Sequence, residues 1–134
     1  YFIIDFSKNN TFKKNKNSNR ISIGKFGEII KLIKECLIRG SIDDLGEILD
    51  YGFQQKKMLA KGISTPEIEL LYKTALEAGA TGGKISGAGG GGFMFFYCPN
   101  NTKYDVIQAL DKLKMGYHQP FTWNKLGIRT WQIE

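Results

Sequence analysis

Six of the ten residues from Gly83 to Gly92 are glycine, and the run leads straight into Phe93-Met94-Phe95-Phe96-Tyr97-Cys98. Nothing else in the 134 residues restricts the fold as much. Glycine loses more backbone entropy on folding than any other residue, so a folded domain keeps such a loop where some other group must approach its backbone. The strand that follows is apolar at both parities, with positions 93, 95 and 97 on one face and 94, 96 and 98 on the other. Such a strand needs cover on both sides. With apolar sequence on both flanks, the run reads as a tight link between two strands, folded for packing or to hold a ligand, and not as a floppy linker.

The rest of the chain supplies the cover. YFIIDF, residues 1–6, reads as a buried strand, followed by a polar loop to about Ser22. From Lys25 to Arg39 apolar residues fall at Phe26, Ile29, Ile30, Ile33, Cys36 and Leu37, a helical stripe that Gly40 is placed to stop. Ser41 and Asp44 form a capping-box pattern for a second helix, with Ile42, Leu45, Leu49 and Phe53 inward and an end near Lys61-Gly62. A third helix starts at Ser64-Thr65-Pro66-Glu67, buries Ile68, Leu71, Tyr72 and Ala75, and closes at Gly79. After Pro99-Asn100-Asn101 a fourth helix runs from about Lys103 to Lys114, with Val106, Ala109, Leu110 and Leu113 inside. Two strands finish the chain, Tyr117–Trp123, which Pro120 confines to an edge or a bulge, and Gly127–Ile133. This order, with tight links at Gly87–Gly92 and Asn124–Gly127, predicts an α+β sandwich over residues 1–134: an antiparallel sheet with helices packed on one face. The other face then needs a partner surface.

The net charge of +6 raises the question of a polyanionic partner. Five of the 19 basic residues lie between Lys8 and Arg20 with no acid among them, which leaves 14 bases against 13 acids elsewhere. The excess belongs to one Asn/Lys-rich stretch, residues 8–20, whose composition suits a flexible, solvated loop, and the remainder is almost neutral. No nucleic-acid partner is expected. No apolar run is long enough for a membrane helix and the N-terminal residues are too short and too acidic for a secretory signal, so the expectation is a cytoplasmic protein with no membrane partner. Cys36 and Cys98 with the single His118 make neither a disulfide framework nor a zinc site; both cysteines read as buried thiols.

The glycine run fails the common phosphate and nucleophile motifs. Gly87-Ala88-Gly89-Gly90-Gly91-Gly92 matches G-x-G-x-x-G in letters, but a strand follows it where a dinucleotide site needs a helix. For a P-loop, Gly83-Lys84 would need Ser or Thr next and glycine at 78, and the chain has Ile85 and Ala78. For a nucleophile elbow at Ser86, Lys84 occupies the first glycine position. What remains is a turn whose consecutive N–H groups can converge into an anion-binding nest, with phosphate or a phosphorylated substrate as its natural guest.

KGISTPEIELLYKTALEAGATGG followed by GGKISGAGGGGFMFFYCP resembles the third, C-terminal motif of the GHMP kinases, the small-molecule kinases that include galactokinase, homoserine kinase and mevalonate kinase. Within that superfamily it is most similar to the D-glycero-D-manno-heptose 7-phosphate kinases. The match is close from about Phe53 to Leu113 and loose over residues 1–50. The resemblance implies a ferredoxin-like C-terminal domain, with ATP and magnesium as cofactors and a sugar phosphate as substrate, phosphorylated at its anomeric hydroxyl. It implies that the loop lines the active-site cleft, a role that falls on Ser86, Gly87, Ala88, Gly89, Gly90 and Gly91, with Gly83 and Lys84 as further candidates, Lys84 being equally readable as an exposed strand lysine. The family's substrate-binding segment and its Pro-x-x-x-Gly-Leu-Gly-Ser-Ser loop are not in these residues. The resemblance therefore implies a partner, the N-terminal half of the kinase, which would hold triphosphate and magnesium, cover the open sheet face and leave this half inert alone. No catalytic residue or metal ligand is assigned here: Asp43, Asp44, Glu47 and Glu67 sit where caps or solvated helix faces account for them.

Two other classes stay open on the residues. GGFMFFY on a strand faintly matches an RNA-recognition motif in which aromatic rings stack on bases, without the basic residue that precedes its glycine. A small-molecule-binding regulatory module that kept the fold and not the catalysis is the other.

Overall fold

Thr65 and Pro66 start their helix as their chemistry dictates. Pro66 lacks the N–H that a first helical turn leaves unpaired, and the Thr65 hydroxyl accepts from the Ile68 N–H at 3.3 Å. The structure, a computed structural model, describes residues 2–5, 20–87, 89–122 and 130. Over these the chain forms β1 (Phe2–Asp5), α1 (Arg20–Arg39), a 3-10 turn (Ile42–Asp44), α2 (Leu45–Lys57), α3 (Pro66–Glu77), β2 (Gly82–Ser86), β3 (Phe93–Tyr97), α4 (Lys103–Leu113) and β4 (Tyr117–Gln119). The four strands make one antiparallel sheet in the order β2-β3-β1-β4. Gly82 lies opposite Tyr97 and Ser86 opposite Phe93, so the glycine run does link neighbouring strands. β4 ends one residue before Pro120, at an edge of the sheet among the described residues. The expected last strand, the Asn124–Gly127 link and the polar stretch up to Asn19 lie outside the described residues.

The α+β class is as expected, and the main core sits on one face of the sheet. Ile85, Met94 and Phe96 from β2 and β3 meet Phe53, Ile68, Leu71, Tyr72, Ala75, Val106 and Leu110 from three helices. The four residues predicted to face inward on α3 are the four it buries. The opposite parity of β3 is covered in part by the chain itself: Tyr97 packs with Cys36, Leu45 and Leu49, and its hydroxyl donates to Asp43 at 3.1 Å. Phe95 lies against Phe121 with ring centroids 5.5 Å apart, and Phe93 is exposed. Of the four rings on β3, Phe93 alone is exposed.

Four local expectations change. α1 begins at Arg20, a turn earlier than Lys25, because nothing in Arg20-Ile-Ser-Ile-Gly24 breaks a helix. Its buried seam is also narrower than the sequence stripe: Ile29 and Cys36 are buried, whereas Ile30 and Leu37 are 66% and 52% exposed, as befits a helix packed mainly on one neighbour, α2. Ser41 makes no side-chain cap; its carbonyl accepts from Asp44 N–H, giving a 3-10 turn before α2 starts at Leu45. α2 ends at Lys57, short of Lys61-Gly62. Gly40 does close α1 at φ +76, and the Cys36 thiol donates to the Ser41 carbonyl just beyond it. Cys36 is buried and Cys98 half-buried, both free. No helix among the described residues is long and apolar enough to cross a membrane.

α2 lies beside β2, and backbone meets backbone there. A Cβ on Gly82 would overlap the Gly46 carbonyl oxygen and stand 2.6 Å from its carbon; a Cβ on Gly46 would stand 2.8 Å from Thr81 Cβ. This closeness places Asp50 so that the Tyr72 hydroxyl donates to its carboxylate at 2.6 Å while accepting from Gly83 N–H at 3.1 Å. Burial, and then the Asp50 carboxylate, pushes the Tyr72 phenol far above its ordinary range. Its contribution to stability is thus complete below about pH 10, the ordinary phenol value, and is lost only as the pH climbs through the raised one.

Gly82→Ala should destabilise the fold by roughly 3 kcal/mol, since both colliding atoms are backbone and cannot turn away. Denaturant midpoints measure it, and an unchanged midpoint would show that α2 stands off from β2. Tyr72→Phe removes the partner of a buried N–H and should cost about 1–3 kcal/mol; in the unmutated protein an absorbance titration should find one phenol that stays protonated after the exposed ones have ionised.

Candidate functional site

The loop from Gly87 to Gly92 takes backbone angles that side chains disfavour: φ is +98 at Gly87, +103 at Gly89, +72 at Gly90 and +105 at Gly92. It is nonetheless held. The Gly90 N–H donates to the Ile63 carbonyl at 3.0 Å, and Ile63, between α2 and α3, is itself buried. At Gly89 a Cβ would lie 2.9 Å from both Cα and O of Ile63, so that position needs glycine for its space as well as its angle.

The expected site residues divide accordingly. Ser86 and Gly87 are exposed at the end of β2, Gly91 is half-buried, and Gly89 and Gly90 are buried under the loop. Ala88 lies outside the described residues. Gly90 spends its N–H on Ile63, so it holds the loop in place and does not present a free donor. Gly83 is buried, its N–H bound to Tyr72, which makes it a structural position beneath the loop. Lys84 is exposed and carries no ion pair among the described residues.

One residue was missed. Lys56 of α2 donates to the Gly87 carbonyl and, at 3.4 Å, to the Ile85 carbonyl, bridging helix and loop. Burial, with the positive charge of Lys84 second, holds its ammonium below the usual lysine range. The signal was present in the stripe: Ile42, Leu45, Leu49 and Phe53 continue at helical spacing to position 56, so a base stands where an apolar residue belongs. Its neighbour Lys57 points elsewhere, to Glu69 at 3.1 Å and over the Phe53 ring.

Lys56, Lys84 and Gly87 stand at the polar part of a groove of about 360 Å³ between α1, α2 and β2. Its walls are Phe26, Ile29, Ile33, Leu49, Phe53 and Ile85. Chemically the arrangement is a held glycine loop with cations and, among the described residues, no carboxylate at its rim, which suits an anion. Among the described residues no three carboxylate, histidine or cysteine side chains cluster as metal ligands.

Residues 29–117 match the family described as GHMP kinases C terminal. The chain belongs to that family. It is 43% identical over 101 residues to the D-glycero-alpha-D-manno-heptose 7-phosphate kinase of Campylobacter jejuni, an alignment covering 75% of this chain and 30% of that protein. A solved chain from C. jejuni assigned to the sugar kinases superposes at a TM-score of 0.62 with 34% identity, over 98% of this chain and 38% of the other. The mevalonate kinase of methicillin-resistant Staphylococcus aureus superposes at 0.70 with 22% identity, over 88% and 39%, which shows a shared fold. The chain thus spans between about 30% and 39% of the length of these proteins.

Gly89→Ala should cost roughly 1–3 kcal/mol and speed hydrogen exchange at the Gly90 amide, because it strains φ and forces the loop off Ile63. Gly27→Ala, in α1 with open space around it, is the control and should stabilise by about 1 kcal/mol. Equal effects of the two would mean that the loop is not seated on Ile63.

Proposed function

We propose that this chain is the C-terminal half of an ATP-dependent sugar kinase, a single domain over residues 1–134, whose acceptor is the anomeric hydroxyl of a heptose 7-phosphate. The single observation that carries this reading is the 43% identity to a heptose 7-phosphate kinase across the helix, strand and loop elements that build the site. The fold supports it from another side. Phosphoryl transfer is largely positioning and charge stabilisation, and the loop is preorganised for that by its seat on Ile63 and its bond from Lys56.

In this reading Ser86, Gly87, Ala88, Gly89 and Gly91 form one wall of the cleft, with Gly90 and Gly83 fastening that wall from behind and Lys84 at its rim. ATP supplies the transferred phosphoryl group. Magnesium and the triphosphate are held mainly by the N-terminal half. This half alone is then inactive, and the whole enzyme works in the cytoplasm on a soluble substrate, with neither nucleic acid nor membrane as partner.

The test is an assay of the protein as its gene encodes it, with ATP, magnesium and a panel containing heptose 7-phosphate, galactose, homoserine and mevalonate. Phosphorylation of the heptose phosphate at the anomeric oxygen, located by phosphorus–carbon coupling, is the expected result. Preference for mevalonate would replace the acceptor and keep the kinase. Ligand binding without any phosphoryl transfer would make the domain a regulatory module.

A further inference from the structure

The groove is apolar along its walls and cationic where it reaches the loop. Lys56 arrives there from α2 and Lys84 from β2, near enough for one charge to act on the other. Neither has a carboxylate within 4 Å among the described residues. The nearby acids are engaged elsewhere: Asp50 accepts from Tyr72 and from Gln54 at 2.9 Å, and Glu69 pairs with Lys57 and accepts from Ser64. What Lys56 does have is a pair of neutral carbonyl oxygens, those of Gly87 and Ile85. Two like charges meeting at a partly desolvated place raise the free energy of the unliganded site, and a divalent anion between them would lower it. Carbonyl oxygens are weaker acceptors for an ammonium than phosphate oxygens are, so such an anion would also compete for Lys56.

We infer that Lys56 and Lys84 are the two cationic corners of a phosphate-monoester subsite at the loop end of the groove, and that a bound dianion draws Lys56 from the carbonyls of Gly87 and Ile85. The subsite extends the kinase reading and does not depend on which acceptor the enzyme uses. It makes Lys56 a binding residue that also reports occupancy: with the site empty it ties down the Gly87 end of the loop, and with the site filled that end is released while the Gly90–Ile63 bond keeps the other part seated. The phosphate of a sugar phosphate and the terminal phosphate of a nucleotide share the required chemistry, a dianion on a small ester. Away from the loop the described groove walls are apolar, so the body of a sugar would extend from this subsite towards solvent or the rest of the protein.

The test uses the protein as its gene encodes it, at constant ionic strength, with inorganic phosphate, glucose 6-phosphate and ATP titrated separately. The amide resonances of Gly87 and Gly89 and the side-chain nitrogen resonance of Lys56 are followed. All three should move with inorganic phosphate, and Lys84→Gln, an exposed substitution that leaves folding alone, should weaken binding roughly tenfold. Lys56→Gln should do the same and shift the Gly87 resonance even without ligand, whereas Lys56→Arg should keep phosphate affinity. Whichever ester binds more tightly, and loses that advantage in Lys84→Gln, identifies the natural source. Unchanged phosphate affinity in Lys84→Gln, or a Lys56 resonance that ignores phosphate, overturns the subsite and leaves the kinase assay untouched. Tenfold weakening in a protein that phosphorylates no sugar keeps the subsite and removes the sugar-kinase reading.

Discussion

The contact on which the other features depend is the one between two backbones, Gly46 at the start of α2 and Gly82 at the start of β2. Side chains ordinarily keep a helix and a sheet well apart, and here neither element has one at the crossing. α2 therefore lies close along β2, which is at an edge of the sheet among the described residues. Its first turns join the smaller core with Tyr97, and its later turn puts Phe53 into the main core with Ile85, Met94 and Phe96. From that single approach follow the Asp50–Tyr72–Gly83 bonds and the reach of Lys56 to the loop. Move α2 away by the width of a methyl group and the loop loses its attachment to the helix.

The glycine loop resolves an apparent contradiction. So many glycines raise the entropy of the unfolded chain and ought to leave a slack segment. Instead the loop is fastened at two points by groups distant in sequence, the carbonyl of Ile63 and the ammonium of Lys56, and its handed φ angles are those that only glycine reaches cheaply. Freedom from side chains and a defined position are then compatible, and both are what the proposed phosphate-facing wall would need. The charge of the chain as a whole is a poor guide to this. Its basic excess lies in residues 8–20 of the sequence, while two lysines, Lys56 and Lys84, line the groove at the loop in a chain that is otherwise near neutral.

Family membership and geometry bear on different parts of the problem. The match over residues 29–117 accounts for the order of elements and for the glycine run. It does not say which side chains meet the loop. The register of α2 marks Lys56 as out of place in the sequence, but its bond to the loop is seen only from where its nitrogen sits, as are the bonds that tie Gly90 to Ile63 and Gly83 to Tyr72.

Much of the fold could be read directly. α3 was legible in full because a hydroxyl, a proline and a 3.6-residue stripe are local signals, and its boundary and buried face follow from residues within one or two turns of each other. The hairpin from β2 to β3 was legible because glycine-rich sequence between apolar strands has few other uses. Where the local signals were ambiguous the reading slipped: Ser41 and Asp44 matched a capping box, yet the chain made a 3-10 turn there and turned Asp43 to Tyr97, fifty-four residues away. The sequence by itself determined the periodicities, the turns and the chemistry of each side chain, all properties of neighbouring residues. Only the tertiary structure decided that Lys56 faces Gly87, that Gly90 faces Ile63 and that Gly46 touches Gly82, because these pairings join positions 27 to 36 residues apart and depend on how closely two elements approach, a distance set by the atoms their residues lack.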